Sequence, residues 1–371
     1  MTAAPEARTQ APGNGLVDGV AGAALGWVRE NRSGFVLPDD VLEPHTDVNR
    51  TMKPLGELAQ LCTTVRRRTR PDDPHHAAAA ALVRFAWEQV REGELLLDLA
   101  RNEPFATYPF EIYAAFAGEG LHHEGFERLA SVVATTRGWA LTEQHANREL
   151  GLLNSERRIG VPPHTAADPV LRRTWLGGLP EPWTFERASG YALTHVVFHI
   201  TDWGNAPHRM PDDVAGYLGT WLPAWIDGCF ENGQWDLGGE LLAVAACLPD
   251  PPPVALVETW WPVLAAVQDG TGAVPETGPP LVRGGGGSRA GGPGAGAAAE
   301  PTEPTGPTEA REAPREFVNC YHSTLVTAFA AALTLARTGP ADSAADPRRI
   351  PDTGAAGQRP DLVGPPDGGA V

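Results

Sequence analysis

Cysteine, lysine and long apolar runs are all scarce in this chain of 371 residues. The cysteines, Cys62, Cys229, Cys247 and Cys320, lie far apart and form no Cys-x-x-Cys pair, which argues against a disulfide framework. No apolar run reaches the roughly 18–20 residues of a membrane span, and residues 1–31 lack the basic and apolar regions of a signal peptide. We therefore expect a protein of the reducing cytoplasm.

Positive charge is also in short supply. The formal net charge is −17, from 29 Lys and Arg against 46 Asp and Glu. Such an acidic chain is repelled by nucleic acid and by anionic membranes, so neither is expected as a partner. A small-molecule or peptide substrate is the expected partner, while the oligomeric state stays open. The composition, rich in Ala, Gly, Pro and Arg, is typical of a high-GC bacterial gene.

Strand signals are nearly absent, because few segments alternate apolar and polar residues between hairpin turns. Apolar residues instead recur with the helical period. The predicted helices are 15–31, 52–68, 76–99, 109–117, 126–136, 141–154, 171–175, 185–203, 211–229, 235–247, 253–268 and 316–337. Short loops with Pro and Gly join them, which predicts an all-α fold of helical hairpins, with the α/α toroid as its candidate arrangement.

Three stretches lack the apolar anchors of a folded core. Residues 1–15, 279–315 and 339–371 are rich in Gly, Ala, Pro and acidic side chains, and cannot offset the entropy of ordering. We predict a disordered N-terminal tail, a low-complexity linker and a disordered C-terminal tail. The main helical domain then spans 16–278, and a final helix at 316–338 completes it.

The first candidate site lies in residues 191–204, YALTHVVFHITDWG. On a helix His195, His199 and Asp202 share one face, at positions i, i+4 and i+7. Asp202 would lie in the last turn, where the helix dipole disfavours a carboxylate by roughly 0.3–1 kcal/mol. Such a face can bind a metal ion, with Asp202 as third ligand, or provide acid and base groups. Two core histidines bonded to backbone carbonyls are the structural alternative, and all three interpretations remain open.

Two more candidates begin later helices. Asp236 is either an acid that complements the dipole or a carboxylate of a catalytic centre, and Glu240, one turn on, shares its face. A protonated His322 would oppose the dipole of the last helix, so we expect it to be neutral, which suits a metal ligand or a base. The candidate catalytic residues are therefore His195, His199, Asp202, Asp236 and His322.

Three short stretches carry motifs of a known fold: QDGTGAVPETG at 268–278, DGCF at 227–230 and CYHSTLVTAFAAALTLA at 320–336. The first resembles the loops that close inner helices in α/α toroids such as terpene cyclases and protein prenyltransferase β subunits. The other two resemble the zinc-binding segments of the prenyltransferases. The resemblance implies an α/α toroid with zinc bound by Asp227, Cys229 and His322. The acidic motifs of terpene cyclases, DxDD and DDxxD, are missing.

The segments THVVFHITDWG, QWDLGGELL and YHSTLV resemble an uncharacterised actinobacterial all-helical family, a domain of unknown function with no assigned reaction. Together with the toroid motifs, they suggest an enzyme of specialised metabolism with a His/Asp or zinc site in an aromatic-lined cavity. A non-catalytic helical scaffold or ligand-binding protein is the alternative. The aromatic residues expected near the site are Trp203, Trp221, Trp225, Trp235, Trp260 and Trp261.

Overall fold

A computed structural model describes residues 13–43, 46–279 and 317–339, and within these ranges it contains helices and no strands. The α-helices in chain order are α1 Asn14–Glu30, α2 Met52–Arg68, α3 Pro74–Gln89, α4 Glu94–Asn102, α5 Tyr108–Ala117, α6 Glu124–Val133, α7 Arg137–Ala140, α8 Ala146–Ile159, α9 Ala167–Leu171, α10 Arg187–Ile200, α11 Asp212–Glu231, α12 Trp235–Cys247, α13 Val254–Val267 and α14 Tyr321–Thr338. The predicted all-α fold is confirmed. The predicted tails and linker fall almost wholly outside the described residues.

The predicted helix at 76–99 is in fact two helices. Between α3 and α4, Arg91, Glu92 and Gly93 have positive φ angles of 51°, 54° and 99°. Arg and Glu are good helix formers, so the local sequence does not predict this break. Gly93 explains part of it, because a Cβ there would lie 2.6 Å from His123, where only glycine fits.

Other boundaries were also wrong. The short helix predicted at 171–175 lies earlier in the chain, as α9, which ends at Leu171. The helix predicted at 141–154 is α8, which begins at Ala146 and continues to Ile159, because residues 142–145 form no regular secondary structure. The helix predicted at 185–203 ends at Ile200, and Asp202, Trp203 and Gly204 follow it with φ angles of 51°, 56° and 81°. Asp202 therefore lies beyond the last turn of α10. The predicted position of its carboxylate within that turn, where the helix dipole is unfavourable, is wrong.

Six helices contact one another in a closed order. Helix α2 contacts α5, α5 contacts α8, α8 contacts α10, α10 contacts α12, α12 contacts α14, and α14 contacts α2. Other helices pack against this set: α1 on α14, α3 on α2, α9 on α8 and α11 on α12. A cyclic order is what a toroid requires, although the toroid itself stays a prediction.

The C-terminal ends of several of these helices meet. At the end of α2, Arg67 donates to the backbone carbonyl of Gly118, directly after α5, and Arg68 donates to that of Gly204, after α10. Gly204 in turn packs against Leu333 in the last turns of α14. Arginines at this end satisfy carbonyls that have no partner within their helix and complement the negative ends of the dipoles.

Helices α12 and α14 form the centre of the core. Every residue of α12 is buried, and so is most of α14. A helix that is buried on all sides is normally apolar all round. Asp236 and Glu240 break this rule on α12, and His322 is the charged exception near the start of α14.

Candidate functional site

Three of the polar side chains in this core converge. Nε2 of His322 lies 3.1 Å from Oε1 of Glu240 and 3.6 Å from Oδ1 of Asp236. The two acids are four residues apart on α12 and so project from one face, and His322 reaches them from the first turn of α14. Within the described part of the chain, they are the one group of three or more His, Cys, Asp or Glu whose ligand atoms all lie within 4.8 Å of one another.

Helix α10 holds the outer oxygen of each acid. The Tyr191 hydroxyl donates to Oδ2 of Asp236 at 2.7 Å, and the Thr194 hydroxyl donates to Oε2 of Glu240. Tyr191 and Thr194 are three residues apart, so they lie on one face of their helix. Because one oxygen of each acid accepts a hydrogen bond from a hydroxyl, the other oxygen faces His322.

A third carboxylate, from α2, holds the far side of the histidine. Oε2 of Glu57 lies 3.1 Å from Nδ1 of His322, and Lys53, the only lysine of the chain, lies 3.8 Å from Oε1 of Glu57. Tyr321 also hydrogen bonds to Glu57. The contact between Glu57 and Nδ1 is an ion pair without hydrogen-bond geometry, and it leaves Nε2 on the side of the two acids.

The charges of the cluster shift its pKa values strongly. Burial lowers the pKa of His322, but Glu57, Asp236 and Glu240 outweigh it and hold that pKa well above its usual value. The prediction of a neutral His322 is therefore wrong, because the surrounding carboxylates exceed the influence of the helix dipole. Burial raises the pKa of Asp236 to about 6, with Glu240 adding repulsion against the attraction of His322. Burial also raises the pKa of Glu57 and Glu240, yet contacts that include His322 keep both below their usual values.

The cluster is closed on one side and open on the other. The side chains of Asp236 and Glu240 are 5 % and 2 % exposed, whereas those of His322 and Glu57 are 19 % and 21 % exposed. Oδ1 of Asp236 is buried and has no hydrogen-bond partner among the described residues. Three carboxylates face one histidine here, so the cluster carries an excess of negative charge.

Asp202, by contrast, forms an ion pair with an arginine. Nε of Arg158, at the end of α8, donates to Oδ1 of Asp202 at 2.5 Å, and Nη1 of the same guanidinium donates to Gln60 at 2.6 Å. Burial raises the pKa of Asp202, but Arg158, Arg67 and Asn154 together hold it below its usual value. This ion pair joins α2, α8 and the segment after α10.

The two histidines of α10 are not part of the close ligand set, but His195 lies near enough to Glu240 to help lower the pKa of that carboxyl. His195 is exposed, and its ring centroid lies 6.2 Å from that of His199. His199 packs edge-on against Trp203 and fits against Gly151, where a Cβ would lie 3.1 Å from the ring. Burial lowers the pKa of His199 well below its usual value, so the ring is neutral near pH 7. His195, His199 and Asp202 do not form a close ligand set, and the backbone hydrogen bonds expected of core histidines are not found among the described residues.

The zinc site implied by the prenyltransferase resemblance is not assembled either. Oδ1 of Asp227 accepts a hydrogen bond from Trp260 at 2.7 Å, and burial raises the pKa of the Cys229 thiol to about 12. Both residues belong to α11, which packs against α12, and neither joins His322 in a close ligand set among the described residues. His322 instead meets Asp236 and Glu240.

Most of the tryptophans expected near the site belong to the core. Trp235, Trp260 and Trp261 are almost fully buried, and Trp225 stacks on Phe185. Two members of the set reach a candidate residue: Trp203 contacts His199, and Trp260 donates a hydrogen bond to Asp227. Tyrosines, rather than tryptophans, flank the cluster of Asp236, Glu240 and His322.

Sequence analysis missed three residues of the cluster. Tyr191 and Thr194 lie within the stretch that was singled out, but only the packing of α10 on α12 shows that they hold the acids. Glu57 carried no signal beyond a possible ion pair with Lys53 one turn earlier. Its role depends on the contact between α2 and α14, helices more than 250 residues apart in the sequence.

The fold and the cluster define an all-helical protein with a buried acid–histidine centre. The chain belongs to the family described as domain of unknown function (DUF6895), whose model matches residues 21–332, a range that contains the whole cluster. No curated protein and no solved structure matches the chain significantly. None of the helices described has both the length and the apolar character needed to cross a membrane.

Proposed function

We propose that this protein is an enzyme whose catalytic centre consists of Asp236, Glu240 and His322, with Glu57 positioning the histidine. The observation that carries the proposal is Oδ1 of Asp236, a buried carboxylate oxygen that accepts no hydrogen bond among the described residues and lies beside a second carboxylate. Burying an incompletely paired charge lowers the stability of the fold. Proteins keep such groups mainly where chemistry needs them, so the cluster is best explained as an active site.

The helix arrangement supports an α/α toroid around this centre. The cluster draws on the N-terminal halves of α2, α10, α12 and α14, whereas C-terminal ends of α2, α5, α10 and α14 meet elsewhere. Neighbouring helices in the cyclic order therefore run parallel, as the inner helices of a toroid do. The centre would lie where the inner helices begin.

Partial exposure deep in the molecule supports an internal space. Glu57, His322 and Asp202 are surrounded by helices, yet their side chains remain 21 %, 19 % and 17 % exposed. A small molecule or a peptide is the proposed substrate in this space, and specialised metabolism in an actinobacterial cytoplasm is the proposed setting. The four buried, free thiols suit a reducing compartment.

A comparison of two aspartates separates the enzyme from a non-catalytic scaffold. Asp236→Asn removes one of two adjacent carboxylates, while the new amide oxygen still accepts from Tyr191. If the cluster is kept for chemistry, this variant should gain about 0.5–2 kcal/mol in free energy of unfolding, measured with urea at pH 8 in a metal chelator. Asp202→Asn breaks an ion pair with Arg158 and should lose stability. A scaffold predicts that both variants lose stability, and that result would reject the enzyme proposal.

A further inference from the structure

The spacing of the ligand atoms in the cluster matches that of a metal site. Bonds of about 2.0–2.2 Å in tetrahedral geometry place two ligand atoms about 3.4 Å apart. Nε2 of His322 is 3.1 Å from Oε1 of Glu240 and 3.6 Å from Oδ1 of Asp236, on either side of this value. The shorter distance is a hydrogen bond, whereas the longer one exceeds hydrogen-bond length, so Oδ1 of Asp236 is not hydrogen bonded to His322.

The remaining polar atom of each residue is held in the way that metal ligands usually are. Asp236 turns Oδ2 to Tyr191, and Glu240 turns Oε2 to Thr194, each accepting a hydrogen bond. His322 turns Nδ1 to Glu57, an ion pair of 3.1 Å without hydrogen-bond geometry. Such outer partners fix ligand orientation in metal sites, and the carboxylate–histidine pair is the commonest of them. Three atoms from two helices are thus aimed at one point.

One atom at that point is left without a hydrogen bond. Asp236 is 4 % exposed, and its Oδ1 accepts no hydrogen bond among the described residues. A buried carboxylate oxygen that faces a second carboxylate needs a positive charge in front of it.

We propose that Asp236, Glu240 and His322 bind one divalent transition-metal ion of the zinc type. This inference deepens the proposed function and rests on the same cluster. An imidazole nitrogen among the ligands favours Zn²⁺ or a similar ion over Mg²⁺, which prefers six oxygen ligands. Three protein ligands leave a coordination position open, on the side where His322 is exposed, for water or substrate. A bound ion of this kind acts as a Lewis acid or activates water.

The test is a metal titration of the full chain, purified without a metal-affinity tag and stripped with a chelator. Calorimetry with ZnCl₂ should show one tight Zn²⁺ per chain, and MgCl₂ should bind far more weakly. Glu240→Gln, which keeps an oxygen for Thr194, and His322→Ala should each weaken Zn²⁺ binding by more than about 100-fold. Glu57→Gln should weaken it by about 10–100-fold and leave the stoichiometry at one, as expected of a positioning residue.

The chain offers a matched control in another buried histidine. His164 lies 2.9 Å from Glu156 through Nδ1 and 3.9 Å from Glu149 through Nε2, so its neighbours lie on opposite sides of the ring. The two acids therefore cannot bind one metal ion together with His164. The variant His164→Ala should keep the tight Zn²⁺ site. Circular dichroism in chelator checks that each variant is folded. As a test that uses the wild-type protein alone, added Zn²⁺ should raise its melting temperature.

Two results would overturn the metal inference. The first is folded wild-type protein that binds no stoichiometric Zn²⁺. The second is a folded Glu240→Gln variant that still binds Zn²⁺ tightly. The proposed function can fail separately, because its stability test is made in chelator. If Zn²⁺ does not bind but Asp236→Asn is still stabilised, the enzyme proposal stands without the metal. If Zn²⁺ binds but Asp236→Asn is destabilised in chelator, the metal inference stands and the enzyme proposal is rejected.

Discussion

The ion pair between Asp202 and Arg158 makes a sharp prediction about stability and pH. Asp202→Asn removes the charge and little else, because the residue has a φ of 51° and asparagine tolerates this left-handed region well. The amide oxygen can still accept a hydrogen bond from Arg158. The guanidinium also keeps its hydrogen bond to Gln60. The variant therefore measures the worth of one buried charge.

The structure sets the size of the effect. The side chains of Asp202 and Arg158 are 17 % and 6 % exposed, so water screens the pair little. Removing one partner of a buried pair costs about 3–5 kcal/mol, and a hydrogen bond to a charged group contributes about 1.5–3 kcal/mol. Because Asn preserves one hydrogen bond, we expect a loss of about 2–3 kcal/mol near pH 7.

The pH dependence tests the cause of this loss. The pKa of Asp202 in the folded protein is below its usual value, so the carboxylate adds stability above the unfolded-state pKa of about 3.9, and this contribution disappears as the pH falls through the folded-state pKa. Urea unfolding of wild type and variant should therefore differ by a constant amount between pH 7 and pH 5. Below about pH 4 the difference should shrink toward zero. Equal stability at pH 7, or a difference at pH 3 as large as at pH 7, would refute the reasoning.

Two further substitutions test the packing around the site. Gly204→Ala should lose about 1–3 kcal/mol in urea unfolding, because φ is 81° and the new Cβ would lie 2.9 Å from Leu333; a variant as stable as wild type would contradict this tight fit. Glu156→Gln should lose about 1.5–3 kcal/mol, since the fully buried carboxylate accepts from Trp139 at 2.7 Å and from the backbone of His164 at 3.2 Å. A melting temperature unchanged from wild type would mean that these bonds contribute nothing net.

The sequence was most informative where local signals decide the outcome. The bounds of α2 and α12 were predicted to the residue, because apolar spacing and clear end signals coincide there. The break between α3 and α4 was missed, because Arg91 and Glu92 favour a helix when considered alone. Their conformation is imposed by tertiary packing around Gly93, which no local pattern reveals.

The same division holds for the site. Asp236 and His322 were candidates because charged groups near the start of apolar helices stand out. Which of them meet depends on helix packing, so the sequence could not tell that Glu57 pairs with His322 across 265 positions, or that Asp202 pairs with Arg158 across 44. The trio of Asp227, Cys229 and His322 rested on short motifs, and the packing of α11 leaves Asp227 bonded to Trp260 and outside a close ligand set with His322.

Anomalous diffraction from crystals grown with Zn²⁺ would test the central claim most directly. We predict one strong peak about 2.0–2.2 Å from Oδ1 of Asp236, Oε1 of Glu240 and Nε2 of His322, with Glu57 still paired with Nδ1. A peak held instead by His195 and His199, or no peak while the three side chains converge as described, would contradict the claim.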